Sequence, residues 1–228
     1  MAYALSKPLT LAAFMALGLA GCNNSSQTAT DDAATDDAAT TETSTNANGT
    51  LQKIKDSGTI VVGYRDSSIP FSYIADDPNQ PMGYAHDLEM KVVDAVKQEL
   101  NMPDLNVRYN LITSQTRIPL VQNGTVDFEC GSTTNNEERQ KQVGFSNGFF
   151  EIGTRLLTAT DSGINDFADL DGETLVTTAG TTSERYIRQY IDEKQMDTNV
   201  ISAKDHGEAF LMLENLSLIH ISEPTRPY

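Results

Sequence analysis

Short apolar runs alternate with longer segments of helical periodicity along most of the chain. The run Thr59–Gly63 has the composition of a short buried strand and is followed by turn-forming residues. Between His86 and Leu100, apolar residues recur at every fourth position, as on one face of an amphipathic helix. That predicted face carries Leu88, Val92, Val96 and Leu100. The same reasoning predicts further strands at 107–112, 126–128, 153–158, 175–178 and 199–202, and further helices at 51–56, 114–122, 136–143, 181–194 and 205–214.

This alternation predicts an α/β fold with mainly parallel sheets. The best local signal for a helix start is Thr181 followed by Glu184, the spacing of a capping box. In open parallel sheets, ligands bind beyond the carboxyl ends of the strands, close to helix N-termini. The residues that follow each predicted strand are therefore the ones to examine for function.

The N-terminus has the features of a targeting signal. Residues 1–21 hold one basic residue, Lys7, ahead of an apolar run that is too short to span a bilayer. The run ends in Leu19-Ala-Gly-Cys22, which resembles a bacterial lipobox, so Cys22 is the predicted site of lipidation. In lipoproteins of that kind, cleavage precedes the cysteine and several acyl chains give durable anchoring. A plain secretory signal with an incidental cysteine is the alternative.

Residues 22–50 combine the predicted lipidated cysteine with a polar segment. After Cys22 the segment is almost entirely Asn, Ser, Thr, Ala, Asp and Gln, with five acidic residues and no Lys or Arg. Such a composition cannot bury enough apolar area to offset its conformational entropy. We expect a disordered acidic tether that holds the folded part near a membrane.

Charge and cysteine content exclude several classes of function. The formal net charge of −16 would repel a polyanion, so no nucleic-acid partner is expected. The two cysteines, Cys22 and Cys130, do not form a disulfide framework. Nothing beyond the N-terminus reaches the ~18 apolar residues of a membrane span. No metal and no cofactor are expected.

The residues after successive predicted strands suit an anionic ligand. Arginine offers a planar fork that matches a carboxylate, and a helix N-terminus offers free N–H groups. An isolated arginine after a strand is more often a solvated surface charge, and a Ser or Thr before a helix is more often only a cap. The functional interpretation therefore depends on their co-occurrence at several strand ends. The candidate ligand-binding residues are Arg65, Ser114, Arg117, Ser132, Thr134, Arg139, Thr182 and His206.

Long motifs in the chain resemble the periplasmic glutamate/aspartate-binding proteins, within bacterial solute-binding protein family 3. The segment 112–142, ITSQTRIPLVQNGTVDFECGSTTNNEERQKQ, carries most of the resemblance. Supporting motifs are VVGYRDSS at 61–68, PFSY at 70–73, GTTSE at 180–184 and ISAKDHG at 201–207. The similarity covers roughly residues 51–215 of the chain.

The resemblance implies a type II periplasmic binding protein, with two α/β lobes that close on the ligand about a hinge. Residues 51–150 would form the first lobe and 151–215 an incomplete second lobe. The ligand's α-carboxylate would be held by Arg139, Thr134 and Thr182. Its side-chain carboxylate would be held by Arg65, Ser114, Arg117 and His206. Ser132 would contact the backbone end of the ligand.

The residues themselves agree with a dicarboxylic ligand. One α-carboxylate needs one arginine, so two further arginines and a histidine indicate a second anionic group. L-Glutamate or L-aspartate is therefore the expected ligand. The resemblance adds an ABC permease as partner, a periplasmic or cell-surface location, and a membrane attachment through the lipid. It also implies an aspartate in the second lobe for the ligand's ammonium group, and no position of this chain matches it.

The last residues, 216–228, do not resemble the family. Their reverse-translated sequence is similar to a sequencing adapter, so we expect a non-native tail. No functional role is expected for His220, Arg226 or Tyr228.

Two other classes of function remain open from the residues alone. The same lobe fold occurs in dehydratase-like enzymes, which would need an acid or base in the cleft. Glu129 and His206 are the candidates for that role. An amino-acid-sensing domain that feeds a signalling partner is the other alternative. The leading interpretation is a binding protein without catalytic residues.

Overall fold

The computed structural model describes residues 42–77, 80–216 and 219–222, and it describes side chains from residue 49 onward, except those of residues 216 and 222. The predicted signal peptide, Cys22 and most of the predicted tether lie outside these residues. Among the described helices, none combines the length and the apolar character needed to cross a membrane.

The first part of the fold is built around a parallel sheet whose central strand is the apolar run after residue 58. Its elements are α1 (Glu42–Ser57), β1 (Thr59–Tyr64), β2 (Ser67–Ser68), β3 (Ser72–Ile74), β4 (Pro81–Met82), α2 (Tyr84–Glu99), β5 (Asn106–Leu111), α3 (Arg117–Gln122), β6 (Phe128–Glu129) and α4 (Glu137–Gln140). The strand order is β5-β1-β6, and both pairings are parallel. Strands β2, β3 and β4 form a small antiparallel sheet in the region that was predicted only as turns.

The middle of strand β1, Ile60–Val62, is apolar because both of its faces are covered, as is typical of central parallel strands. Ile60 and Val62 pack in one cluster with Val93 of α2. Val61 faces the other way and packs with Ile112 and Val126. Thr59 and Tyr64, at the two ends of β1, are partly exposed, while the middle of the strand forms the core of this lobe.

Helix α2 is where it was predicted, but its buried face is different. Val92 is 44% exposed, whereas Val93, His86 and Glu89 are buried. A strict four-residue repeat drifts around a helix of 3.6 residues per turn, so Leu88 and Val92 do not continue the face. The predicted stripe was wrong in this respect, because an acidic residue was not considered for the core.

Helix α1 begins earlier than the sequence indicated. The predicted helix covered 51–56, yet α1 starts at Glu42, inside the predicted tether. Extending an existing helix costs little per residue, since nucleation is the unfavourable step. Ile54 supplies the anchor, because it is buried against the core of the first sheet.

The second part of the fold contains a mixed sheet. Its elements are β7 (Arg155–Leu157), a 3-10 helix (Phe167–Leu170), β8 (Thr174–Thr178), α5 (Thr182–Lys194), β9 (Asn199–Ala203), α6 (His206–Leu216) and β10 (Ile219–Ser222). The strand order is β7-β10-β8-β9. Strands β8, β9 and β10 run parallel, and β7 is antiparallel to β10. Both sheets belong to one compact unit.

Strand β10 lies in the tail for which no role in the fold was expected. Ile219 and Ile221 are buried in the core with Leu175 and Ile187. His220 points to the opposite face, with its Nδ1 3.2 Å from the carbonyl oxygen of Val176. The alternation of apolar and polar residues in this segment has the period of a half-buried strand, which explains the pairing. The second sheet therefore extends beyond residue 215, and the origin of the tail stays a prediction.

Candidate ligand-binding site

Buried cations follow the strands of the first sheet. Arg65 comes directly after β1 and is 1% exposed, and Arg117 at the start of α3 is 2% exposed. Among the described residues, the three guanidinium nitrogens of Arg65 have no hydrogen-bond partner. The hydroxyl of Ser114, in the loop after β5, is also buried and has no hydrogen-bond partner among the described residues. Buried polar groups are normally hydrogen-bonded, so donors left open in this way indicate a place for an anionic ligand.

The charge of Arg65 is only partly compensated. Burial lowers the pKa of Arg65, and the nearby carboxylate of Glu129 opposes that shift most strongly, followed by Asp66 and Asp205. Arginine keeps its proton in proteins even when the environment disfavours the charge. The site therefore holds a desolvated cation that an incoming carboxylate would stabilise.

His206 lies in the same region, although it belongs to the other sheet. It is the first residue of α6, and its Nδ1 is 2.9 Å from the hydroxyl oxygen of Thr178, the last residue of β8. Burial, together with the positive charges of Arg65 and Arg117, lowers the pKa of His206 to about 3. The imidazole is therefore neutral at pH 7 and can act as a hydrogen-bond donor. The structure thus brings together Arg65, Arg117 and His206, three of the four residues predicted for the ligand's side-chain carboxylate.

The residues predicted for the α-carboxylate also meet. The hydroxyl oxygens of Thr134 and Thr182 are 3.3 Å apart. Arg139 donates through Nη1 to the carbonyl oxygen of Thr134 at 2.9 Å, and through Nη2 to that of Gly180 at 3.1 Å. Arg139 is held in place by helix α4, because the side chain of Asn136 accepts from its backbone N–H at 2.9 Å.

Ser132 lies next to Ser68 of strand β2. Its hydroxyl oxygen is 3.4 Å from that of Ser68. It lines a cavity of about 850 Å³, which Thr134 and His206 also border. Arg65, Ser114 and Arg117 are buried and are not among the residues that line this cavity. Thr182, together with Thr134, lines a second cavity of about 390 Å³, so four of the eight candidate residues border open volume.

Gly180 is a contact that the sequence interpretation did not assign to the site. Its φ of +76° favours glycine, and a Cβ there would lie 2.6 Å from Cα of Gln115. The loop after β8 therefore packs directly against the loop after β5. A Gly placed between a strand and the cap residue Thr181 was the available sequence signal for such a turn.

Two buried titratable residues were also missed. Glu89 and His86 lie on the inner face of α2, and the Nδ1 of His86 is 2.9 Å from Oε2 of Glu89. Their i, i+3 spacing on a helix that otherwise has an apolar face was the only indication in the sequence. Within the described part of the chain, no group of three or more His, Cys, Asp or Glu residues is arranged to hold a metal ion.

Two α/β lobes whose strand-end loops meet around buried cations define a solute-binding protein. Residues 60–208 match the model for bacterial extracellular solute-binding proteins, family 3, and the chain belongs to that family.

Curated relatives come from several bacteria. The chain is 67% identical over 167 residues to the L-glutamate/L-aspartate-binding protein of Pseudomonas aeruginosa, covering 73% of this chain and 55% of that protein. It is 54% identical over 169 residues to the glutamate/aspartate import solute-binding protein of Escherichia coli, covering 74% and 56%. The chain therefore spans about half the length of these relatives. The glutamine-binding protein of Geobacillus stearothermophilus is 34% identical, and the match covers 90% of this chain and 75% of that protein.

Solved structures share the fold. The cysteine-binding protein of Campylobacter jejuni superposes with a TM-score of 0.66 at 22% identity, over 76% of this chain and 66% of that chain. An ancestral amino acid-binding protein, described as a precursor of cyclohexadienyl dehydratase, gives 0.63 at 26% identity, over 76% and 74%. The predicted type II periplasmic binding protein fold is confirmed.

Proposed function

We propose that the protein is the extracytoplasmic solute-binding component of an ABC importer and binds L-glutamate or L-aspartate between its two sheets. The relatives with the highest identity quoted above carry that ligand in their names. The observation that carries the proposal is Arg65, a buried guanidinium whose nitrogens have no hydrogen-bond partner among the described residues. A bound dicarboxylate would supply the missing acceptors and the missing negative charge.

The two clusters of the site support a division of roles. Arg65, Arg117 and the neutral His206 would bind the side-chain carboxylate, with the hydroxyl of Ser114. Arg139, Thr134 and Thr182 would bind the α-carboxylate, and Ser132 would contact the ligand's backbone end. For Arg139 this requires exchange, because its guanidinium now donates to the carbonyl oxygens of Thr134 and Gly180.

The delivery step follows from the same proposal. The bound protein would present its closed form to a membrane permease, and the lipid on Cys22 would keep it at the periplasmic or outer surface of a bacterial membrane. The support for lipidation is the Leu-Ala-Gly-Cys sequence alone. Metabolic labelling with a fatty-acid analogue should mark the protein, and Cys22→Ser should abolish the label.

Calorimetry with a panel of amino and hydroxy acids tests the ligand class. L-Glutamate and L-aspartate should bind, and L-glutamine should bind at least about tenfold more weakly, because an amide leaves buried cations underpaired. Equal affinity for glutamate and glutamine would contradict the proposal. A turnover assay on the same compounds should detect no product, since the proposed function is binding without chemistry.

A further inference from the structure

A polar cluster lies beneath the loop that follows β6, and the binding function proposed above does not use it. Glu89 of α2 is fully buried. Its Oε1 accepts a hydrogen bond from the backbone N–H of Cys130 at 2.9 Å, and its Oε2 is 2.9 Å from Nδ1 of His86. Both carboxyl oxygens are therefore satisfied, and one of them is bonded to the loop that carries Ser132 and Thr134.

Burying a carboxyl group at this position costs desolvation free energy. Burial raises the pKa of Glu89 to about 7, although the hydrogen bonds from His86 and Cys130 work in the opposite direction. Apart from its partner His86, the other buried positions of α2, Ala85 and Val93, are apolar. An apolar residue at 89 would avoid the desolvation cost but would leave the Cys130 N–H without its acceptor. The contact to the loop is what the carboxyl group provides.

The loop in question packs directly on the candidate site. A Cβ on Gly131 would lie 3.1 Å from Oε2 of Glu129 and 3.4 Å from Cγ of Arg65. Glu129 is also the main opposing charge for Arg65. A shift of the Cys130 backbone would therefore move Glu129, Gly131 and Ser132 relative to Arg65.

We propose that Glu89 is a positioning residue for the binding site, which holds the loop Glu129–Thr134 against Arg65 through the Cys130 N–H. His86 orients the carboxyl group for that contact. The choice of L-glutamate as the test ligand rests on the proposed function, whereas the contact between Glu89 and the Cys130 N–H does not.

The charge of Glu89 gives this role a distinctive pH dependence. The titratable groups that face it are His86 from α2, Tyr109 from β5, and Glu129 and Cys130 from β6 and its loop. Burial raises the pKa of Cys130 to about 12 and also raises that of Tyr109, so both stay neutral near pH 7. An ionised Glu89 adds to the negative charge of Glu129 behind Arg65 and should weaken anion binding. Affinity for glutamate should therefore fall as the pH rises through about 7.

The test measures L-glutamate affinity by calorimetry from pH 5.5 to 8.5. Glu89→Gln keeps an acceptor for Cys130 and cannot ionise, so it should match the unmodified protein at pH 5.5 and lose the pH dependence. Glu89→Leu removes the acceptor and also cannot ionise, so it should bind about tenfold more weakly than Glu89→Gln at every pH. Val93→Ala is the matched control, because it weakens the core on the same helix without touching the loop, and it should keep both affinity and pH profile.

His86→Asn separates the two titratable groups of the pair. The asparagine amide can still donate to Glu89 but cannot titrate, so the pH profile should persist. Its disappearance would assign the titration to His86 and overturn the role given to Glu89. A Glu89→Leu variant with unchanged affinity and pH profile would also overturn it.

Hydrogen exchange at the Cys130 amide, measured without ligand, tests the contact independently. Exchange should be faster in Glu89→Leu than in Glu89→Gln, and equal rates would contradict the inference. If the unmodified protein bound no amino acid at all, the proposed function would fail while this exchange difference remained measurable.

Discussion

The hydroxyl oxygens of Thr134 and Thr182 lie 3.3 Å apart, although the residues are separated by 48 positions; Thr134 is in the loop after β6 of the first sheet, and Thr182 begins α5, after β8 of the second. The guanidinium of Arg139 spans the same gap, with one bond to each side. Small polar groups from both lobes therefore meet at this point. Binding of a carboxylate at this point would replace bonds between the lobes by bonds from both lobes to the ligand.

Gly180→Ala should hold the two loops apart. The added methyl group would lie 2.6 Å from Cα and 2.9 Å from the backbone N of Gln115, and a backbone cannot rotate away as a side chain can. The positive φ adds a second cost. We expect a loss of about 1–3 kcal/mol, in glutamate binding, folding stability or both. Calorimetry and chemical denaturation measure the two quantities, and Gly144→Ala, at which an added Cβ meets nothing within 4 Å, is the control.

Arg65→Met should separate stability from function. The substitution removes a buried cation that lacks hydrogen-bond partners among the described residues, and replaces it by an apolar chain of similar length. The free energy of unfolding without ligand should rise by about 1–3 kcal/mol, while glutamate affinity should fall at least about a hundredfold. Thermal unfolding with and without glutamate checks both effects. A destabilised variant that still binds would show that the Arg65 charge is structural.

Arg117→Lys and Arg139→Lys should differ in the ligands they affect. Each keeps the charge and loses the planar fork. Arg117→Lys should weaken glutamate by about tenfold and spare any residual binding of neutral amino acids. Arg139→Lys should weaken all amino acids, because all carry an α-carboxylate. Identical effects across a ligand panel would refute the division of the site.

His206 should make the folded protein sensitive to acid. Its pKa is lowered from 6.5 to about 3 in the folded state, so folding favours the neutral imidazole. This contribution is complete above pH 6.5 and is lost as the pH falls towards 3. Between pH 6.5 and 4 the unmodified protein should lose on the order of 2 kcal/mol more than His206→Asn does. Denaturation curves at both pH values measure the difference, and parallel losses would contradict the burial of an uncharged ring.

Strand β10 should contribute to stability although it lies in the tail that does not resemble the family. Deleting residues 217–228 removes Ile219 and Ile221 from the core and separates β7 from β8. Two buried isoleucines of this kind account for about 3–6 kcal/mol, so the second sheet should unfold or aggregate. Circular dichroism and gel filtration of the shortened chain provide the test. Unchanged stability would show that the strand adds nothing to the fold.

Local sequence determined a large part of this protein. The run Thr59–Gly63 could be assigned to a buried parallel strand because its side chains are apolar on both faces. The cap at Thr181 was also predictable, since its hydroxyl accepts from the Glu184 N–H at 3.1 Å, although Glu184 itself accepts from Gly180. Family motifs identified the polar groups at the strand ends. Each of these signals is local, because it is contained in a short segment of the sequence.

Only the tertiary structure decided how distant residues share an environment. Helical periodicity could not show that Glu89 would point into the core, because its partner amide comes from a loop 41 residues later. The neutral state of His206 depends on burial and on two arginines from another sheet. The place of Ile219–Ser222 depends on an open position between β7 and β8. Desolvation, long-range charge and strand pairing act through space, so a pattern of neighbours along the chain does not contain them.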